Sequence, residues 1–408
     1  MNYNEGGLNG FENAQNRFYE EYKKQMEQMG KLNTIVAGKT GVGKSFLING
    51  VFGQKLAEVR GGGLPVTKYC EKYTLTDSNL SIYDTKGFET GENDHEKLIF
   101  EKLNEINSAA RNPDDCIHFC WYCIADMGDR IESNEIKFIN DVNQRMKVPV
   151  IIVITKSLGR NNPKTKEFIE AIEKELSGVR INIIPVMAEA MIQKTEYGTI
   201  TIEQHGLKEL VDTTSKLLPD AKKDLLIAIQ KVDIKRKIEK ARTIALVYAG
   251  AVAASSFNPI PMSDAPIMMG IQAAMLAHIT VVFGIPLSKL NFIQIITGVG
   301  LPLAAAMAGR TLVSLLKFVV GPGTVISGGI NASTGATITF AIGNIYIKVL
   351  ESALKSGDIN EEILKDGLKE GMEDFNMDTY KKQWEENKNN YDKSEAERIL
   401  NEEKNKGV

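Results

Sequence analysis

The run Gly38-Lys39-Thr40-Gly41-Val42-Gly43-Lys44-Ser45 constrains this chain more than any other, because it fits G-x-x-x-x-G-K-[ST] and follows the apolar segment Thr34-Ile35-Val36-Ala37. Glycines at this spacing let the backbone turn until successive N–H groups face one anion, and the lysine adds a point charge at the β and γ phosphates. Ser45 opens the helix expected over Lys44 to Val51. Its hydroxyl can ligate Mg²⁺ there, and the positive end of the helix dipole meets the same phosphates. Strand, glycine loop and helix in that order predict a nucleoside triphosphate site made by Gly38, Lys39, Thr40, Gly41, Val42, Gly43, Lys44, Ser45 and Phe46.

With 408 residues the chain has room for two or three domains. Its 49 basic and 52 acidic side chains leave a net charge of −3, so bulk electrostatics argue for no nucleic-acid partner. Four cysteines and no secretory apolar region at the start lead us to expect a reducing cytoplasm. Cys120 and Cys123 are formally C-x-x-C, with Cys116 nearby. They fall in the apolar run Ile117 to Ala125, where strand alternation sends Cys120 and Cys123 to opposite faces, and a buried strand accounts for them better than a metal or redox site. His118 belongs to the same run.

From Lys31 to Leu218 apolar runs alternate with amphipathic ones, the pattern of an α/β domain whose mainly parallel sheet is flanked by helices. Strands are expected at Thr34–Ala37, Tyr69–Thr76, Leu80–Tyr83, Ile117–Ile124, Val150–Ile154 and Ile181–Val186. Helices are expected after the glycine loop and over His95–Ala109, Ser133–Met146, Lys164–Leu176 and Leu207–Leu217. Four regions result: 1–30, a charged N-terminal helix; 31–218, the nucleotide-binding domain; 219–355, an all-α apolar helical domain; and 356–408, a charged helical tail. In the third, Lys222 to Lys240 reads as one basic-leaning helix. No charge then falls within Thr243–Ser263, Ala265–Ser288, Leu290–Gly309 or Phe318–Ile347. Each window approaches the length of about 20 residues that crosses a bilayer as a helix. Asn258-Pro259-Ile260-Pro261 breaks the first window, Gln272 and His278 interrupt the second, and the small polar residues of the last suit close helix packing as well as lipid.

Two further segments complete the nucleotide site. Asp84-Thr85-Lys86-Gly87 ends an apolar strand and supplies D-x-x-G, whose carboxylate would order the Mg²⁺ hydration shell while the Gly87 N–H reaches the γ phosphate. Between the two motifs, Gly61-Gly62-Gly63-Leu64-Pro65-Val66-Thr67 reads as a flexible loop, and its Thr67 hydroxyl is the candidate to join the Mg²⁺ shell only when a γ phosphate is present.

Gly38–Ser45, Thr67, Asp84–Gly87 and the strand-terminal Thr155-Lys156 together resemble the G1 to G4 elements of an Era-like or Ras-like GTPase, and are similar also to the immunity-related GTPases. The run Pro259-Ile260-Pro261-Met262-Ser263-Asp264-Ala265-Pro266 and the apolar helix after it resemble an uncharacterised helical domain fused to a family of bacterial GTPases. The resemblance implies a P-loop NTPase with a Ras-like G domain, GTP/GDP and Mg²⁺ as cofactors, and hydrolysis of GTP to GDP and phosphate. Lys44, Thr67 and Gly87 would act on the phosphates, and Ser45, Thr67 and Asp84 would hold the metal. Thr155, Lys156, Met187 and Ala188 would surround the base.

The chain departs from that pattern at three places. Relatives that read guanine carry [NT]-K-x-D, whose aspartate pairs with the base; here Leu158 follows Thr155-Lys156-Ser157, so ATP or mixed specificity stays open. Phe88 stands where many relatives place a water-orienting glutamine, and it cannot hydrogen-bond water. Intrinsic turnover is therefore expected to be slow unless another group is supplied; Arg130 is one donor, or a surface arginine paired with Glu132. Gly41 replaces the asparagine of potassium-stimulated relatives, so no activation by potassium is expected.

Two readings of the whole chain remain. One is a GTP-binding switch whose helical domain associates with the inner face of the cell membrane and which forms a nucleotide-dependent homodimer. The other is a soluble nucleotide-binding scaffold or oligomer with ATP or mixed specificity and little turnover, its apolar helices buried against one another. Asp264, Arg310 and Lys317 separate the apolar windows, and charges inside a membrane are costly unless paired or interfacial.

Overall fold

The computed structural model describes residues 5–53, 64–67, 70–75, 78–85, 95–126, 130–176, 179, 181–195, 198–255, 265–289, 332–357, 362–363, 366–367, 370–371 and 376–406. The chain divides into two compact units, Met29–Asp233 and Met1–Gln28 together with Ile234–Val408. The N-terminal helix thus groups with the second half of the chain, and residues 219–233 with the nucleotide-binding half.

The unit Met29–Asp233 is built on a seven-stranded sheet in the order β2-β3-β4-β1-β5-β6-β7. Its strands are β1 (Leu32–Ala37), β2 (Leu64–Thr67), β3 (Cys70–Thr74), β4 (Leu80–Thr85), β5 (Phe119–Ala125), β6 (Val150–Thr155) and β7 (Asn182–Val186). β4, β1, β5, β6 and β7 run parallel, as continuous apolar runs such as Val150-Ile151-Ile152-Val153-Ile154 require of strands covered on both faces. On one face Ile35, Cys120, Tyr122 and Ile152 meet Ile99, Phe100, Phe138 and Ile172 of the helices α3 (His95–Ala109), α4 (Ser133–Asn140) and α5 (Pro163–Glu175). On the other, Trp121 stacks on Phe52 of α2 (Lys44–Phe52), ring centroids 5.7 Å apart. Its indole N–H donates to Thr214 Oγ1 of α6 (Leu207–Leu217) at 3.0 Å.

Several elements differ from the sequence expectations. The segment Leu64–Thr67, expected within a flexible loop, is an edge strand antiparallel to β3, with Thr67 opposite Cys70. Residues 61–63 lie outside the described residues. A hairpin, β8 (Met191–Thr195) with β9 (Gly198–Ile202), follows the last sheet strand and was not expected. The helix expected from Ser133 to Met146 closes with a π turn over Asp141–Arg145. The helix expected from Lys222 to Lys240 is two, α7 (Asp220–Ile229) and α8 (Ile234–Ala254). Gln230 makes the break. Its side-chain amide donates to Ile227 O and Asp233 O and accepts from the Asp233 N–H, closing a turn where helix would otherwise continue.

All four cysteines are free, and Cys120 and Cys123 are fully buried with only Cys120 in the core on the α3–α5 side, as strand alternation requires.

The other unit is helical. α1 (Glu5–Met29), α8, α9 (Ala265–Phe283), α10 (Ala332–Ser356), α11 (Met377–Asn387) and α12 (Lys393–Lys406) are its longer described helices, with α8 packed against α9, α10 and α12. The polar groups of the apolar helices find partners inside the unit. Gln272 Nε2 donates to Thr339 Oγ1 at 3.1 Å, the Thr280 and Tyr346 hydroxyls meet at 2.7 Å, and the buried Lys237 ammonium donates to Phe283 O at 3.0 Å at the end of α9. Among the described residues no helix is long and apolar enough to cross a membrane. The window Leu290–Gly309, the breaker 258–261, and Asp264, Arg310 and Lys317 lie outside the described residues.

Candidate nucleotide site

The phosphate loop leaves β1 at its carboxyl end, between β4 and β5, and runs into α2. Gly38, Gly41 and Gly43 take φ values of 134°, 78° and 108°, the left-handed region. Gly38 is needed for a second reason: a methyl group on its Cα would overlap the backbone carbonyl of Cys123 on β5. Gly43 caps α2, whose first residues are Lys44 and Ser45. The Lys44 ammonium turns back over the loop and donates to Gly38 O at 2.8 Å and Lys39 O at 3.0 Å. Phe46, the next residue, is 55% exposed.

The parallel register sets Asp84 beside Val36, one residue before the end of β1, and there Asp84 is buried. Burial pushes the Cys123 thiol up to about 12, with the Lys44 charge opposing and the Asp84 charge adding to the shift, so both charges act at the same end of β5. A serine hydroxyl and a buried carboxylate are hard oxygen donors of the kind Mg²⁺ takes, and that ion needs only one or two protein ligands beside phosphate and water. Among the described residues no group of three or more His, Cys, Asp or Glu gathers as an alternative metal centre. Thr67 ends β2, its side chain outside the described residues; Lys86, Gly87 and Phe88 lie outside them altogether.

The base-side elements are tied to the loop. Thr155 Oγ1 reaches both Val42 O and Ile124 O, and Lys156, at φ 55°, extends its ammonium to Gly41 O at 2.7 Å. Met187 and Ala188 are buried; the Met187 backbone exchanges two hydrogen bonds with His205, and Gln204 Nε2 donates to Ala188 O at 2.7 Å. Leu158 is 40% exposed at the position where guanine-reading relatives carry aspartate.

Two participants, Asp126 and Gln204, escaped the sequence reading. Asp126, directly after β5, accepts from the Leu158 N–H at 3.0 Å and the Thr165 hydroxyl at 2.6 Å, fixing the loop after β6. A polar residue closing an otherwise apolar strand was the available signal. Lys39 sends its side chain away from the loop to Glu132 at 2.7 Å and the buried Glu135 at 3.4 Å. Desolvation opposes its charge, but the two carboxylates outweigh burial and raise its pKa. Glu132 is thereby engaged by Lys39, while Arg130 is exposed. Gln204 had no sequence signal.

Residues 33–156 match the family described as 50S ribosome-binding GTPase, and residues 215–375 match a domain of unknown function, DUF697. Curated relatives include Septin-14 of Mus musculus, 25% identical over 48% of this chain and 50% of its own length. Neuronal-specific septin-3 of Danio rerio is 27% identical over 40% of this chain and 51% of its own. The chain thus spans about half the length of these curated relatives. Among solved structures, a probable GTP-binding protein engB aligns over 45% of this chain and 97% of its own, at 19% identity and a TM-score of 0.31. The unit Met29–Asp233 carries a P-loop GTPase domain, with the mainly parallel sheet and flanking helices of that fold.

Proposed function

We propose that this protein is a GTP-binding switch that hydrolyses GTP to GDP and phosphate with Mg²⁺. The observation that carries the reading is the phosphate loop itself, with three left-handed glycines and the Lys44 ammonium held over the loop at the amino end of α2. When bound, Mg²⁺ would offset the negative charge that develops on the transferring phosphate. Ser45 and Asp84 would hold it, with Thr67, while Lys44, the loop amides and Gly87 would stabilise the transferring group. Thr155 and Lys156 brace the loop from the base side.

Mg²⁺-dependent binding and hydrolysis of GTP against ATP, with Lys44→Ala as control, tests this. GTP is expected to bind at least about tenfold more weakly to Lys44→Ala, a loss of about 1.4 kcal/mol or more. Equal affinity of wild type and variant, or no turnover that depends on Lys44, would remove the hydrolase from the reading. Equal use of ATP would favour mixed specificity, consistent with Leu158 in place of a base-reading carboxylate.

The helical unit is assigned here to the inner face of the cell membrane, supported by the charge-free run Ala265–Ser288. A second reading, a packed scaffold without lipid contact, is favoured by the internal pairing of Gln272, Thr280 and Tyr346. Co-sedimentation of the full chain with anionic vesicles in each nucleotide state separates them: retention on vesicles supports membrane association, and none supports the scaffold. A nucleotide-dependent homodimer belongs to the switch reading and is checked by sedimentation with GDP and with a non-hydrolysable GTP analogue.

A further inference from the structure

The helix that receives the phosphates has a second end, and that end is attached to something. α2 is nine residues long, about 13 Å from end to end. Its amino end carries Lys44 and Ser45. At its carboxyl end the Val51 carbonyl accepts a 2.8 Å hydrogen bond from the Lys231 N–H. Beside it Gly53, at φ 66°, ends the helix with its N–H on Asn49 O. The Lys231 side chain lies across that glycine so closely that a methyl group there would overlap its Cδ.

Lys231 sits in the Gln230–Asp233 turn, the last four residues of the nucleotide-binding unit; Ile234, the next residue, begins α8. The turn is built rather than loose. Gln230 is completely buried and spends its amide on Ile227 O, Asp233 O and the Asp233 N–H. The mostly buried Asp233 carboxylate pairs with Lys208, in the first turn of α6. That helix begins beside the base side of the site: a methyl group on Gly50 of α2 would press against both Ala188 O and the Leu207 side chain. One four-residue turn is therefore held from two directions, by the far end of the phosphate-binding helix and by the helix that follows the base loop.

We propose that the Gln230–Asp233 turn is the element through which nucleotide state is read out of the GTPase domain, with α2 as the rigid link between the phosphates and Lys231. The inference rests on the nucleotide-switch reading above. A short helix cannot bend appreciably, so a shift of its amino end on triphosphate binding is delivered at Val51 and Gly53, where the Lys231 hydrogen bond either follows or breaks. Lys208 and Gln230 are positioning residues in this scheme, since neither adjoins the phosphates.

The test is hydrogen exchange of the full chain over the segment 227–236, with Mg²⁺ and either GDP or a non-hydrolysable GTP analogue, alongside separate titrations with fluorescent analogues of the two nucleotides. Exchange in this segment is expected to differ between the two nucleotides by at least about fivefold. The difference should be lost in Gln230→Ala and strongly reduced in Lys208→Ala, while nucleotide affinity changes by less than about threefold. Lys208 has a largely exposed side chain, so its variant decides the matter where Gln230→Ala fails to fold. If the nucleotides bind but exchange is the same with both, or if the difference persists undiminished in Lys208→Ala, the read-out role is overturned and the switch reading stands. If neither nucleotide binds the wild type, both fall.

Discussion

Gly38 illustrates how a single atom can decide a site. Its φ of 134° is open to glycine, and its Cα hydrogen faces the Cys123 carbonyl with no room for a methyl group. Gly38→Ala is therefore expected to cost about 1–3 kcal/mol in backbone strain alone, and to weaken nucleotide binding at the same time, because the displaced loop loses its aligned N–H groups. Urea unfolding and a nucleotide titration on the same preparation check both effects. His118 immediately precedes β5, at the end of that strand opposite the phosphate loop. The Asn33 N–H donates to its Nδ1 at 3.0 Å, so that nitrogen carries no proton. Burial lowers its pKa, the Lys222 charge adds to the effect, and Asp114 opposes it. A histidine held neutral in the folded state contributes stability that is complete above its unfolded pKa of about 6.5 and is lost as pH falls from there through the lower folded value. The urea midpoint of the wild type should thus drop more steeply between neutral pH and about pH 5 than that of His118→Gln, which keeps an acceptor for Asn33 but cannot titrate. Equal slopes would mean that other groups carry the acid response.

At the scale of elements, the loop after β6 shows what the sequence could and could not reveal. Its Thr155-Lys156 pair was legible because two side chains in a fixed motif reach two loop carbonyls, Val42 O and Gly41 O. Asp126 was not, since its partners, the Leu158 N–H and the Thr165 hydroxyl, come from 32 and 39 residues further along the chain. Asp126→Ala is expected to destabilise the GTPase unit by about 1–3 kcal/mol, the cost of leaving those donors without an acceptor. It should also raise the KM for nucleotide more than it lowers kcat, because the loop braces binding rather than chemistry. The buried parallel strands could be read from apolar runs alone, whereas β2 could not: Leu64-Pro65-Val66-Thr67 follows three glycines and contains proline, which is tolerated there because the strand is at the sheet edge. The β8–β9 hairpin left a fainter trace, the alternation Thr199-Ile200-Thr201-Ile202, in a stretch whose exposed Ile192 breaks the usual apolar-inside pattern. The split between α7 and α8 was hidden for another reason: Gln230 is an ordinary helix former, and only its burial turns it into a turn-maker.

Across the whole molecule, charge-free windows and charged segments pointed to helices in the second unit but not to which of them belong together. The N-terminal helix is charged enough to pass for a solvated arm, yet Arg17 and Glu21 are buried, and Arg17 pairs with Glu21 and, almost from the other end of the chain, with Glu403. Lys24 adds a 2.6 Å pair with Glu402, and Lys406 reaches Glu20 at 3.2 Å. The last two are partly exposed and screened, so they add little. The buried pair differs. Desolvation raises the Glu403 pKa even with Arg17 beside it, so the carboxylate depends on that guanidinium to stay charged in the interior. Arg17→Ala is expected to destabilise the helical unit by about 3–5 kcal/mol, because it leaves the buried Glu403 without the guanidinium that pairs with it. Replacing Arg17 and Glu403 together by Met and Leu should recover much of that loss, since the desolvation penalty of both charges disappears with them. Chemical unfolding of the full chain, followed by probes in each unit, distinguishes this ionic clasp from mere proximity of two helix ends. In the first case the double variant is more stable than Arg17→Ala; in the second the two losses add. An unchanged midpoint in Arg17→Ala would mean that α1 holds to the helical unit through Phe18, Tyr22 and its other apolar side chains alone.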